Sequence, residues 1–388
     1  MYKIPTLLVL ILVYSSNLYS QQVWKDDCNY NTEDIPWTTQ HGDGEVKTRL
    51  IVKDGFIRFV VDASAEPHNV WWATVSRPVS FPPKDTEDYS EEKLWIEAKV
   101  KPSHATRRIN MRLYNQRTRD HHAFLKEFDL EDTLNWHTIR FSPQGLRYLP
   151  GDELRCHFAL IDWGNREFHL DIKEVKVFFE DAENKPEESE NALEYHPQPQ
   201  KLANLSHQLK VKEDATVDVL FPEESLAGWG QQENGEIKQL ISVSHHLIPV
   251  LRWDFSNFKD HKVKEWGLLR LKVHSSNQVP SPTHEYGRIR IMEIKGGRED
   301  WNYETVTFND LTGNLPLWEV FNEQMVIDMD MPKTGEEFLE IPISPVVLQR
   351  LIDGTTKGLA VFPLGSIQTS FYAKAYNGGE NAATLNFN

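Results

Sequence analysis

Apolar and polar side chains alternate with a period of two over many short stretches of the chain. Phe56–Val61, Leu94–Val100, Ile109–Tyr114, Trp136–Phe141, Leu154–Leu160 and Phe168–Phe179 are examples. Neighbouring side chains on a strand point to opposite faces, so this alternation predicts strands with one buried face. Turn clusters such as His41-Gly42-Asp43-Gly44 and Pro150-Gly151-Asp152 separate them. Many short strands punctuated by Gly and Pro predict a β-sandwich or jelly roll. Helical periodicity is weak except at Pro345–Ile352. Residues 181–200 (DAENKPEESENALEYHPQPQ) are acidic, Pro-containing and poor in β-branched residues, which predicts a solvated linker. The expected architecture is therefore all-β, with a sandwich or jelly roll over residues 21–180 and a second β-sandwich over 201–388.

The N-terminus departs from this pattern. Lys3 precedes an apolar run from Leu7 to Val13, followed by Ser15, Ser16 and Ser20. A basic start, a short apolar core and a polar cleavage zone predict a signal peptide over residues 1–20. The run is too short for a convincing transmembrane helix. A secreted or periplasmic protein without membrane insertion is expected. That compartment permits a Cys28–Cys156 disulfide; two buried thiols are the alternative.

Composition narrows the partners. The 388 residues carry 42 basic and 58 acidic side chains, a formal net charge of −16. Nucleic acid is an unlikely partner for such a balance, since phosphate binding needs a basic footprint. A monomer is expected.

Strand faces change that first picture of an acidic surface. If Met111 and Leu113 face the core, Arg112, Tyr114 and Gln116 face away from it. If Cys156 and Phe158 face the core, Arg155 and His157 face away. The same reasoning places Arg140, His169 and Asp171 on non-core faces. Loops add Arg107, Arg108, Asn115, Arg117, Arg119, His121, His122 and Arg147. If these strands share one sheet, they form a cationic groove rich in imidazole and phenol. The alternative is an ordinary solvated face whose charges pair with Asp and Glu. Arg grips carboxylate or sulfate bidentately, and Trp71, Trp72, Trp136 and Trp163 are available to stack on sugars. An acidic poly- or oligosaccharide is the expected partner. A groove between the two halves would bring in Arg252, His284 and Arg288.

Two resemblances add to this reading. Asn69-Val70-Trp71-Trp72-Ala73, the strand Leu94–Val100 and the closing strand Phe168–Val175 resemble the galactose-binding-like jelly rolls of carbohydrate-binding modules. That resemblance implies a glycan-binding module and, at Asp171, either a ligand of a structural calcium ion or an ordinary strand carboxylate; no other cofactor is implied. In the second half, Leu251–Phe255, Leu268–Val273, Trp301–Asn309, Ser370–Lys374 and Thr384–Phe387 resemble the secreted DNRLRE-type β-sandwich. It implies fold and glycan context.

The same residue types suit β-elimination on a uronic acid. That reaction needs a cation on the carboxylate, a base for the C5 proton and an acid for the departing C4 oxygen. Tyr114 and His157 are the expected acid and base, with His121 or His122 in reserve. Arg112 and Arg155 are assigned to the carboxylate, with Gln116, Arg140, Trp71 and Trp72 as further sugar contacts. The expected function is polysaccharide degradation by a lyase or dehydratase acting on an anionic, sulfated substrate. The alternative is a non-catalytic protein of two carbohydrate-binding modules. No Gly-x-Ser-x-Gly elbow or His-Glu-x-x-His helix is present in the sequence.

Overall fold

The computed structural model describes residues 23–32, 34–81, 93–180, 185–193, 205–233, 236–278, 287–332 and 335–388. The expected signal peptide therefore lies outside the described residues, as do the two ends of the expected linker.

The first sandwich contains twelve strands: β1 (Val23–Asp26), β2 (Thr38–Gly42), β3 (Lys47–Lys53), β4 (Phe56–Asp62), β5 (Trp72–Val79), β6 (Leu94–Pro102), β7 (Arg107–Asn115), β8 (Leu125–Leu130), β9 (His137–Phe141), β10 (Leu154–Ile161), β11 (Glu167–Phe179) and β12 (Ala192–Leu193). One sheet has the order β3-β4-β11-β6-β9, with β1 also pairing β11. The other has the order β12-β8-β7-β10-β5-β2. Both are antiparallel throughout. Their inner faces enclose a core of Ile57, Phe59, Trp71, Ile109, Met111, Leu113, Phe158, Trp163, Phe168 and Leu170. Burying these side chains supplies the main driving force, at roughly 1.5–3 kcal/mol each.

The middle of the acidic segment is not a free linker. Ala192 and Leu193 pair with Phe128 and Glu127 of β8. Ser189 accepts the Arg140 amide at 2.7 Å, and Glu188 pairs with Lys126 at 3.0 Å. An edge strand with unpaired backbone groups gains by recruiting such a segment.

The second sandwich runs from His207 to Phe387 and packs a seven-stranded sheet on a five-stranded one. The predicted helical stretch is a helix, Pro345–Asp353, with Pro at its first turn and Gly354 closing it in the left-handed conformation. The Trp301–Asn309 stretch is largely loop; Trp301 is buried and seeds a local apolar cluster.

Charged residues dominate the contact between the sandwiches. Arg350 bridges Glu293, at 2.8 and 3.0 Å, to Asp129 of β8 at 2.7 Å. Arg290 holds Asp328 at 2.7 Å and reaches Asp162 at 3.3 Å. Glu323 takes both Arg107 and Arg166. Gln324 donates to the carbonyls of Arg108 and Ile161, both at 3.2 Å, and Arg108 donates to the Met325 carbonyl at 2.5 Å. Charges withdrawn from water persist only when paired in this way. Burial works against the Glu293 charge, yet Arg350 and Thr356 hold this carboxyl below the usual range. Asp162 goes the other way: burial pushes it up to about 6. Gly164, with φ +126°, lets the Glu323 carboxylate lie where a Cβ would clash at 2.8 Å.

Candidate functional site

Antiparallel register decides which of the candidate side chains meet. On adjacent strands β7 and β10, Arg155 lies opposite Tyr114 and His157 opposite Arg112. On the other side of β10, His157 lies opposite Ser76 of β5. All five side chains stand on the outer face, because Met111, Leu113, Cys156 and Phe158 fill the core. The Tyr114 and His157 rings meet edge to face at 6.1 Å between centroids. The Arg112 guanidinium lies 4.3 Å from the Tyr114 ring centre. Burial, with Arg112 and then His121 adding like charge, pulls His157 down to about 4. His157 is therefore neutral at neutral pH and able to accept a proton.

Charges on this face are unevenly matched: Arg108 takes Glu127 at 3.5 Å. Among the described residues Arg155 has no carboxylate within salt-bridge reach; its one hydrogen bond goes to Ser76 Oγ at 3.5 Å. The face is also closed at one end. Along β7 its outward residues run Tyr114, Arg112, Asn110, Arg108. Tyr114 is half-buried, whereas Asn110 is 3% exposed. Past Asn110 the second sandwich takes over, with Gln324, Met325 and Arg350 on Arg108 and Asp129.

Several expected site residues lie elsewhere. Arg112 is not free for a ligand: its Nε donates to the Ala123 carbonyl at 2.9 Å and its Nη2 to the Asp120 carbonyl at 2.6 Å. Arg140 and Asp171 belong to the opposite sheet, because β9 and β11 do not share a sheet with β7 and β10. Arg140 faces Glu97 at 3.6 Å. Both oxygens of Asp171 are held by the Arg58 guanidinium at 2.7 and 2.9 Å, so it behaves as an ion-paired strand carboxylate. No group of three or more His, Cys, Asp or Glu able to hold a metal ion occurs among the described residues.

Trp71 is a core residue, 1% exposed, with its indole N–H on the Gly164 carbonyl at 2.9 Å. Trp163 is likewise in the core. Trp136 packs edge to face on Phe56 and lies on the opposite sheet's side. Trp72 alone of the four starts a strand of the site sheet, half-buried over Gly42. Gln116 folds back onto the Gly151–Glu153 turn, accepting the Glu153 amide at 2.9 Å. Asn115 and Arg117 bind Asp152. His121 and His122 sit exposed on the turn that Arg112 holds. Cys28 and Cys156 are both buried thiols, the second of the two alternatives; burial pushes Cys156 up to about 12.

The interface residues Arg290, Glu293, Gln324 and Arg350 were missed from sequence. Among the residues named for such a contact, Arg252 donates to the Trp301 carbonyl and Arg288 pairs with Asp330, both inside the second sandwich. His284 lies outside the described residues. Arg290 follows Arg288 by two on one strand, and nothing in an alternating pattern distinguishes which of two like residues meets another domain.

The fold and site define a two-sandwich, all-β protein with a cationic, aromatic sheet face. No family model and no curated protein matches the chain. Solved structures do. A family 11 carbohydrate-binding module from Clostridium thermocellum, in complex with a β-1,3-1,4-mixed-linked tetrasaccharide, is 13% identical; the match covers 40% of this chain and 94% of the module, with a TM-score of 0.27. A CBM4 structure is 14% identical over 40% of this chain and 94% of its own, with a TM-score of 0.27. The arabinose-bound α-L-arabinofuranosidase MgGH51 is 9% identical over 44% of this chain and 28% of its own, with a TM-score of 0.30.

Proposed function

We propose that the Tyr114–Arg155–His157 face binds an anionic oligosaccharide and acts on its terminal uronic acid by β-elimination. The supporting observation is a phenol, a neutral imidazole and a guanidinium without a carboxylate partner among the described residues, side by side on a face closed at one end. Arg155 neutralises the C6 carboxylate, so that charge can build up at C5. His157 takes the C5 proton as the C5–H bond breaks. Tyr114 gives its proton to the C4 oxygen as the C4–O bond breaks. The electron pair left at C5 becomes the C4–C5 double bond. His157 and Tyr114 then regain their starting states by proton exchange with water.

A closed end favours a chain terminus over the middle of a polymer. If the terminal C4 carries a hydroxyl, water leaves and the reaction is a dehydration; if it carries sugar, the same chemistry is a lyase. The reaction as drawn needs no cofactor. Secretion, a monomeric state, sulfation of the substrate and a DNRLRE-type second module belong to the same proposal.

A second reading, carbohydrate binding without catalysis, is favoured by one observation. Burial holds His157 at about 4, which makes it a weaker base than an ordinary imidazole. Incubating the protein with uronic-acid oligosaccharides decides between them. Growth of ultraviolet absorbance from an unsaturated uronate supports elimination. Binding with no absorbance change supports the second reading, and neither binding nor turnover sinks both.

A further inference from the structure

The two guanidiniums of the site face, matched by residue type, are placed in different chemical situations. Arg112 is 5% exposed. It spends Nε and Nη2 on the carbonyls of Ala123 and Asp120, at 2.9 and 2.6 Å. Its plane covers the Tyr114 ring at 4.3 Å. Arg155 sits half-buried one residue pair away, with a single long bond to a hydroxyl. A planar fork already fixed on two backbone oxygens has little left for a sugar carboxylate.

What Arg112 holds is the turn joining β7 to β8. The start of that turn is fixed separately. Arg117 clamps Asp152 at 2.9 and 2.6 Å, and Thr118 returns its amide to the Asn115 carbonyl at 3.0 Å. Its far end depends on Arg112, together with the Leu113 amide on the Phe124 carbonyl at 3.3 Å. Phe124 takes a left-handed φ of 60°, a conformation costly for a bulky residue unless its surroundings impose it. Asp120 caps the His122 amide at 2.8 Å, which shapes the tip. The exposed His121 lies on that turn, and His157 lies opposite Arg112 on the neighbouring strand.

We infer that Arg112 is a positioning residue: it holds the Asp120–Ala123 turn beside the site face, and it leaves recognition of the sugar carboxylate to Arg155. This rests on the proposed anionic-sugar reading for its ligand, but not for the turn. The groups around His157 on this face are Tyr114 and Arg112 of β7 and Ser76 of β5.

Two measurements on the full chain test it. In the first, binding of a uronic-acid oligosaccharide and of its carboxyl-reduced counterpart is compared in the wild type, Arg155→Met and Arg112→Met. Wild type should favour the charged sugar by about tenfold or more, the scale of a charge-assisted contact. Arg155→Met should bring that preference close to one. Arg112→Met should weaken both sugars alike and keep the preference. The opposite split, with the preference lost only in Arg112→Met, overturns the inference. The second measurement needs no sugar. Backbone amide NMR relaxation should show the Asp120–Phe124 turn ordered in the wild type and loosened in Arg112→Met, with partial recovery in Arg112→Lys and unchanged core resonances in all three. A turn as ordered in Arg112→Met as in the wild type overturns the inference even where the sugar reading holds. Loosening of the turn with no sugar bound by the wild type upholds the positioning role and rejects the sugar reading alone.

Discussion

The two outer faces of the first sandwich are built from the same alternating pattern and differ in how fully their charges are matched. On the β3-β4-β11-β6-β9 sheet the charges are interlocked. Glu174 is shared by Lys25 at 2.9 Å, Lys176 at 3.0 Å and Lys99 at 3.3 Å. Glu97 takes Lys176 at 3.3 Å and Arg140 at 3.6 Å, and Arg58 forks onto Asp171. On the other sheet Arg108 takes Glu127 at 3.5 Å, whereas Arg155, on the surface it shares with Tyr114 and His157, has no carboxylate within reach among the described residues. A face with matched charges satisfies itself and has little to offer a ligand. A face with an unmatched cation beside aromatic rings stays open to an anion that can match it. Position in the sheet order therefore matters more than residue type: Arg140 and Arg155 look alike in sequence and differ in what surrounds them.

The contrast breaks most readily at the site face. Removing either proton-transfer group, by Tyr114→Phe or His157→Ala, should lower turnover by roughly 10²–10⁴-fold. Thermal unfolding should stay close to that of the wild type, since both side chains lie on the outer face of the sheet and not in the core. Turnover unaffected by both changes would reject these two residues as acid and base.

The reverse pattern is expected on the paired face. Arg58→Met strands a buried Asp171 carboxylate, 3% exposed, without its two hydrogen bonds. Stability should fall by roughly 1–3 kcal/mol in urea unfolding. Sugar binding should not change. A loss of binding without a loss of stability would show that the two faces had been assigned the wrong way round.

Acid separates the faces more gently. His157 has a folded pKa depressed to about 4, below its unfolded value near 6.5. The unfolded chain binds the extra proton between these limits, so stability declines as pH falls from about 6.5 to about 4. Glu174 is held at about 2, chiefly by Lys25. Its contribution is complete above an unfolded value near 4.3 and is lost as pH falls through about 2. Urea titrations across pH should therefore show two windows. His157→Gln flattens the upper one and Glu174→Gln the lower. A His157→Gln profile parallel to wild type above about pH 4.5 would contradict the depressed imidazole.

Much of this fold was legible in the chain. The alternation at Phe56–Val61, Ile109–Tyr114 and Leu154–Leu160 predicts strands that the structure contains, with the expected residues facing the core. The placement of Tyr114, Arg155 and His157 on non-core faces followed from the same alternation. What alternation cannot supply is sheet order. A period of two says which side of a strand a residue occupies but not which strands are neighbours, so Arg140 and Asp171 were grouped with residues on the opposite sheet. Nor does it separate an aromatic that closes a core from one that lines a surface. Trp71 and Trp72 are adjacent, and the pleat sends one inward and the other outward. The interface ion pairs, such as Arg350 with Asp129, join residues 221 positions apart and leave no local trace.

The central claim is that ligand meets the β7–β10 face and not the ion-paired one. Titration of the isotope-labelled protein with a uronic-acid oligosaccharide, followed residue by residue in amide and imidazole NMR spectra, tests this directly. The account predicts saturable shifts at Tyr114, His121, Arg155 and His157, with Arg58, Glu97, Asp171 and Glu174 unmoved. Shifts centred on Arg58, Asp171 and Glu174, or none anywhere in the first sandwich, would contradict it.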